Sequence, residues 1–243
     1  MSGHSKWHNI QAKKGKMDSL KANAFTKIAR LITVAAQQGG GDPEMNFSLR
    51  LAVEKAKAVN MPKDNIERAI KKGTGGGSAE LSLHEVVYEG FGPGGVAVIV
   101  EALTENPNRT VSEVKNVFSR QGGTMGGSGS VQWQFVHSGV ARLDSEQKKK
   151  IINFEDFELA MIDAGADEII ESEDVIEVRS AVVNLNKIIE SVKNFGVVPT
   201  ESGLEWIAKE SIVLDDETGQ KLNNLFEALD DLDDVKEVYT NAN

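Results

Sequence analysis

The residues able to do chemistry gather in the opening third of the chain, starting with Gly3-His4-Ser5-Lys6-Trp7-His8. His4 and His8 stand four residues apart and could share a metal ion on one helix face. No carboxylate lies close by in sequence to complete such a site, so no metal is expected. Trp7 is more informative. It is a large aromatic among Ser5, Lys6 and His8, in a stretch without apolar periodicity, and so has no core to enter. Stacking on a nucleobase or inserting into a partner would give its ring faces a use. Lys6, Lys13, Lys14 and Lys16 supply cations beside it for a phosphate backbone. Further along, Lys27 and Arg30 lie off an apolar stripe, and Arg68, Lys71 and Lys72 fall at the end of a predicted helix. For these last three, favourable interaction with the helix dipole is the competing account. Arg109 opens a later helix beside a glycine-rich segment. There it makes either a helix-start salt bridge or a phosphate contact, with Arg120 a weaker candidate at the other end.

The charge is divided. Up to Lys72 the chain carries fourteen Lys/Arg against six Asp/Glu, a net +8; from Gly73 onward thirteen stand against thirty-one, a net −18. The whole-chain value of −10 conceals this split. A basic block on an acidic body points to a module that meets a polyanion, because the body itself repels phosphate. A hydrophobic fraction of 40% with 26% charged residues is that of a folded protein. With no cysteine, disulfides, thiolate metal sites and cysteine nucleophiles are excluded, which fits a reducing cytoplasm. No run of eighteen apolar residues exists, and the N-terminus has no apolar signal core. The expectation is a cytoplasmic protein without membrane, cofactor, metal or small-molecule substrate.

Other candidate chemistry fails on spacing. Gly90–Gly95 lacks the Lys-Ser/Thr of a phosphate loop, and Gly122–Gly129 is not a dinucleotide turn between a strand and a helix. Both stretches read as tight turns or close backbone approach. The run Glu227, Asp230, Asp231, Asp233, Asp234 lacks the glycine and spacing of a calcium loop and reads as a solvated acidic face. His84 and His137 are isolated, so structural roles are expected. No catalytic constellation is found, and an enzyme is not expected.

The elements that must position these residues follow from periodicity. Asp18 to about Gln38 predicts a helix, with Leu20, Ala24, Phe25, Ile28, Leu31, Ile32 and Ala35 as its stripe. Gly39-Gly40-Gly41-Asp42-Pro43 stops it. A second helix runs from Phe47 to Met61-Pro62, and a third from Pro62 to Gly73. Gly73–Ser78 reads as a linker. Strands are then expected over Leu83–Gly90, Val96–Leu103 and Val131–Phe135, and Asn106-Pro107-Asn108-Arg109-Thr110 turns the chain into a helix to about Gln121. From about Val136 a β-α-β-β-α-β order appears, which is ferredoxin-like. The last segment offers a strand near Ile212–Leu214, a helix from about Glu217 to Leu232 and a strand at Lys236–Tyr239. These are too few to fold alone, so they are expected to return to the sheet begun at Leu83. The fold class is α+β, with three domains: a basic α-helical domain over 1–76, a discontinuous α/β domain over 77–132 plus 209–243, and a ferredoxin-like domain over 133–208.

Taken together, these residues resemble the YebC family, also called PmpR or DUF28. The markers are Gly3-His4-Ser5-Lys6-Trp7, Phe25-Thr26-Lys27, Gly39–Pro43, Asn60-Met61-Pro62-Lys63-Asp64, Tyr88–Gly95, Asn108-Arg109-Thr110, Gly122-Gly123, Gly129-Ser130-Val131 and Val235–Tyr239. They run in order over nearly the whole chain. Pro107 departs from the family pattern, where many relatives carry a basic or polar residue. The resemblance implies a helical N-terminal bundle and two α/β domains in a crab-claw arrangement. It also implies nucleic-acid binding, described in two ways: bacterial members as DNA-binding transcriptional regulators, and other views placing the family on the ribosome, relieving stalls at proline-rich stretches. A mitochondrial relative is a translational activator of cytochrome c oxidase subunit I. With no recognition-helix signature or dimer seam for palindromic DNA, the residues favour RNA as the partner, and the resemblance implies ribosomal RNA. DNA, or a protein partner met through the acidic body, are the alternatives.

Overall fold

The structure is a computed structural model that describes residues 17–75 and 83–243. It divides into two compact units: Val136–Ile207 forms one, and the described residues up to Phe135 together with Ala208–Asn243 form the other.

The larger unit begins with three helices, α1 (Met17–Gly39), α2 (Phe47–Ala58) and α3 (Lys63–Gly73). Apolar residues three and four apart put Ile28, Ile32, Ala35 and Ala36 of α1 against Leu49, Ala52, Val53 and Ala56 of α2 and Ile66 and Ala69 of α3. Fully burying each Ile or Leu here stabilises the bundle by roughly 1.5–3 kcal/mol. Asn46 joins two helices. Its side-chain oxygen accepts from the Leu49 N–H at 3.1 Å and caps α2, while its amide donates to the Ala35 and Gly40 carbonyls at 2.7 and 2.8 Å. Where α3 crosses α1, a Cβ on Gly73 would lie 2.2 Å from the Thr33 carbonyl oxygen, so only glycine permits this approach.

The same unit contains a four-stranded sheet of β1 (His84–Phe91), β2 (Ala97–Thr104), β3 (Thr124–Met125) and β8 (Val235–Thr240), in the order β3-β1-β2-β8. The last strand of the chain runs antiparallel to β2, with Ile99 opposite Tyr239. Alternation along β2 turns Val98, Val100 and Ala102 toward α4 (Pro107–Arg120) and α8 (Asp216–Asp230). There Val114, Phe118, Leu222, Leu225 and Leu229 complete the core.

Two local expectations are corrected. The expected strand over 131–135 does not form: Gln132–Gln134 make a 3₁₀ turn, and only Phe135, where the next strand starts, is extended in the ladder. The cause is Glu89, whose carboxylate takes the N–H groups of Val131 and Gln132 that a ladder would use. At Ile212–Leu214 only a parallel bridge between Ile212 and Ala242 forms.

The smaller unit takes β4 (Phe135–Asp144), α5 (Ser145–Lys148), α6 (Phe154–Asp163), β5 (Ala166–Glu171), β6 (Val175–Ala181), α7 (Leu185–Asn194) and β7 (Glu201–Ala208). Its sheet order, β5-β6-β4-β7, is the ferredoxin-like permutation. Ala141, Leu143, Ile176 and Val178 face Phe157, Met161, Ile188 and Val192 of the helices. The intervening residues carry an ion-pair ladder. Arg142 donates to Glu177 at 2.7 Å and to Glu205 at 2.6 and 2.8 Å, and Arg179 pairs with Glu177 and Glu168. Burial lowers the Arg142 pKa, but these carboxylates outweigh it and push the value above that of an ordinary guanidinium.

Candidate nucleic-acid interface

The sequence-predicted cations separate into three groups. His4, Ser5, Lys6, Trp7, Lys13, Lys14 and Lys16 lie outside the described residues. Arg68, Lys71 and Lys72 are exposed on α3. At i, i+3 and i+4 they share one face, opposite the Ile66 and Ala69 stripe that packs on α1 and α2. The N-terminal half of α3 exposes Asp64 and Glu67, the latter bridged to Lys63 at 3.4 Å. The positive potential of this helix is therefore confined to its last two turns.

Lys27, Arg30 and Arg109 form the third group, and they turn inward to the acidic segment at the end of α8. Lys27 donates to the Asp230 carbonyl and, at 2.8 Å, to the Asp230 carboxylate. Arg30 donates to Asp234 Oδ1 and to the Asp233 carbonyl, each at 2.8 Å. Arg109 donates to Asp234 Oδ2 at 2.6 Å, and its Nε lies 3.8 Å from Glu113. For Arg109 the helix-start salt bridge is thus the geometry present. The hydroxyls of Thr104 and Thr110 also donate to Asp234, at 3.0 and 2.7 Å.

Asp234 is the centre of this cluster. Its side chain is 2% exposed, against 53% for Arg109 and 28% for Arg30. Burial raises the carboxyl pKa, but hydrogen bonds from Arg109, Thr110, Thr104 and Arg30 outweigh burial and hold it below the usual carboxylate range. The same contact raises the Arg109 pKa. Tyr88, buried near by, is pushed up by desolvation and then by the Asp234 charge. The run read as a solvated acidic face therefore splits: Asp231 and Asp233 are exposed, whereas Asp234 is a buried counter-ion joining α1, β2, α4 and β8.

A second buried carboxylate, Glu89, was not singled out by sequence. It is 3% exposed, and its oxygens accept the N–H groups of Gly129 at 2.6 Å and of Val131 and Gln132 at 2.8 Å. Burial raises its pKa; the three amides from Val131, Gly129 and Gln132 win and the net shift is downward. They fix the glycine-rich loop that carries Trp133, whose residue surface is 68% exposed. An acid in an alternating strand gives no sequence signal for this role. His137 stacks on Trp206 at 4.6 Å, a packing role. Among the described residues no group of His, Asp and Glu side chains could hold a metal ion, and no helix is long and apolar enough to cross a membrane.

Comparison with known proteins covers almost the whole chain. Residues 5–76 match the family model described as the TACO1/YebC protein N-terminal domain, and residues 83–242 match that of the TACO1/YebC second and third domain. A "Probable transcriptional regulatory protein" of Herpetosiphon aurantiacus is 47% identical over 241 residues, 99% of this chain and 94% of the relative. A protein of the same description from Caldanaerobacter subterraneus is 45% identical over 244 residues, 100% of this chain and 98% of the relative. Among solved structures, a conserved hypothetical protein, Aq1575 from Aquifex aeolicus, superposes with a TM-score of 0.82 at 39% identity, covering 96% of this chain and 95% of that one.

Proposed function

The chain belongs to the TACO1/YebC family, and on that premise we propose that it is a non-enzymatic regulator of gene expression that works by binding nucleic acid through its basic helical domain. The observation that carries this reading is where the free positive charge lies. Arg68, Lys71 and Lys72 present an unobstructed cationic face, continuous in sequence with a domain of net +8, while Lys27, Arg30 and Arg109 are tied to carboxylates. The first group meets phosphate; the second holds the helices on the α/β framework.

RNA is the polymer this reading takes, with the ribosome as its proposed setting. A major-groove recognition helix reads bases with its N-terminal residues, and on α3 that end carries Asp64 and Glu67. Cations at the far end contact backbone rather than base edges. Assistance of translation, including relief of proline-rich stalls, is the role proposed on the ribosome. The second reading, a DNA-binding transcriptional regulator, is favoured by the name that the relatives carry.

Binding of the full chain to ribosomal RNA fragments, to ribosomes and to duplex DNA across a salt series tests both. Each phosphate contact contributes roughly −0.7 to −0.9 to the log–log salt slope. Changing Arg68, Lys71 and Lys72 together to Gln is expected to weaken binding and flatten the slope by about 2–3. Tighter binding to duplex DNA than to any RNA would favour the transcriptional reading, and no binding to either would overturn both.

A further inference from the structure

We propose that Trp133 is a preorganised stacking platform for an unpaired nucleobase, a second nucleic-acid contact on the α/β framework away from the basic helical domain. The inference rests on the nucleic-acid reading above and adds a class of ligand to it: single-stranded rather than duplex nucleic acid.

The first observation is that an exposed indole is held rigidly. Its Nε1–H donates to the Ser130 carbonyl at 3.2 Å, so the polar edge of the ring is satisfied inside its own loop. Its own carbonyl accepts from Lys209 Nζ at 2.7 Å, and the Lys209 N–H donates to the Gln134 carbonyl at 2.9 Å. Behind the loop, Glu89 grips Gly129, Val131 and Gln132, and the Gly126 N–H returns to the Glu89 carbonyl at 2.8 Å. Burying a carboxylate to hold a surface turn is costly unless its hydrogen bonds are complete. Here they are spent on a segment whose most prominent side chain, at 68% exposure, packs into no core. A large apolar ring fixed in water has little ordering entropy left to lose on binding.

The second observation concerns the glycines beside it. Gly129 needs its positive φ of 81°, and a Cβ on Gly126 would lie 2.3 Å from Ser130 Oγ. Gly127 has neither constraint: its φ is not in the left-handed region, and a Cβ there would meet nothing within 4 Å. The fold does not require glycine at 127. Gly127 also accepts, through its carbonyl, the N–H of Ser130, whose own carbonyl holds the indole.

The occupant follows from the chemistry. The ring offers a π-face, and Lys209, held on the Trp133 carbonyl, offers a cation, the pairing that single-stranded nucleic acid meets with a base and a phosphate. A duplex keeps its bases stacked and cannot use the ring.

The test compares wild type, Trp133→Ala, Trp133→Phe and Gly127→Ala for affinity to an unstructured RNA 12-mer and to an RNA duplex of the same length, at one salt concentration, with thermal melting of each protein. Trp133→Ala is expected to weaken single-strand binding by about 5- to 150-fold, leaving duplex affinity and melting temperature unchanged. Trp133→Phe recovers most of the loss, and Gly127→Ala, whose added Cβ meets nothing in the fold, is the loop control and binds and melts like the wild type. Wild-type single-strand affinity in Trp133→Ala, or equal losses for both ligands, overturns the platform while leaving the basic domain's role standing. Failure of the wild type to bind either RNA overturns the platform together with the RNA reading on which it rests.

Discussion

Replacing Asp234 with Ala removes one side chain and leaves four donors without their acceptor, and the cost follows from what each donor can do next. Arg109 is more than half exposed and recovers water, so it is given no share. Arg30 keeps the Asp233 carbonyl and partial solvent, and its lost pair costs about 1 kcal/mol. Thr110 retains the Asn106 carbonyl at 3.1 Å. Thr104 is fully buried and exchanges its charged acceptor for the neutral Thr110 hydroxyl 2.7 Å away, a loss of about 1–2 kcal/mol. The total is about 2–3 kcal/mol, which for a chain of this size lowers the melting temperature by about 4–12 °C. Asp233→Ala is the control, because that side chain is exposed; its change should stay within about 0.5 kcal/mol. The pH dependence has a definite sign. The folded Asp234 pKa is depressed, so its stabilisation is fully present above the ordinary Asp value of 3.8 and is lost as pH falls through the lower folded value. Melting measured by circular dichroism at neutral pH should show the full gap between wild type and Asp234→Asn, and below pH 3.8 the gap should narrow. Equal melting temperatures for wild type and Asp234→Ala at neutral pH would refute the assignment of Asp234 as the central counter-ion.

Three further outcomes are expected. Gly73→Ala forces a Cβ to within 2.2 Å of the Thr33 carbonyl, so it should cost about 1–3 kcal/mol through separation of α1 and α3, seen as faster amide exchange in both helices. Glu89→Gln presents an NH₂ group where three amide donors converge; it should lower stability at neutral pH and release the 126–132 loop to hydrogen exchange. Because the folded Glu89 pKa is depressed, the wild-type advantage over that variant should persist above the ordinary Glu value of 4.5 and fade as pH falls through the lower folded value, as denaturant titrations would read.

Much of this protein was legible in one dimension. The stripe Ile28, Ile32, Ala35 on α1 repeats at helical spacing, and the β-α-β-β-α-β order from Val136 is a linear property that the ferredoxin-like sheet order reproduces. The charge split at Gly73 is likewise a matter of counting. The fate of individual charges was not legible, because burial depends on partners far away in the chain. Asp233 and Asp234 are adjacent and chemically identical, yet one is exposed and the other is sealed. The difference is that β8 returns beside β2, bringing Arg30 from 204 residues away and Arg109 from 125. Arg30 and Lys27 read as free cations until that return supplies their carboxylates. Glu89 alternates like any outward-facing strand residue, and only the loop forty residues later provides its three amides. Those amides in turn break the strand that the pattern Val131 to Phe135 suggests, and they leave Trp133 in water. Periodicity reports which face of an element turns inward. What meets a polar group there is decided by the tertiary structure, since a buried carboxylate is tolerable only where distant donors converge on it.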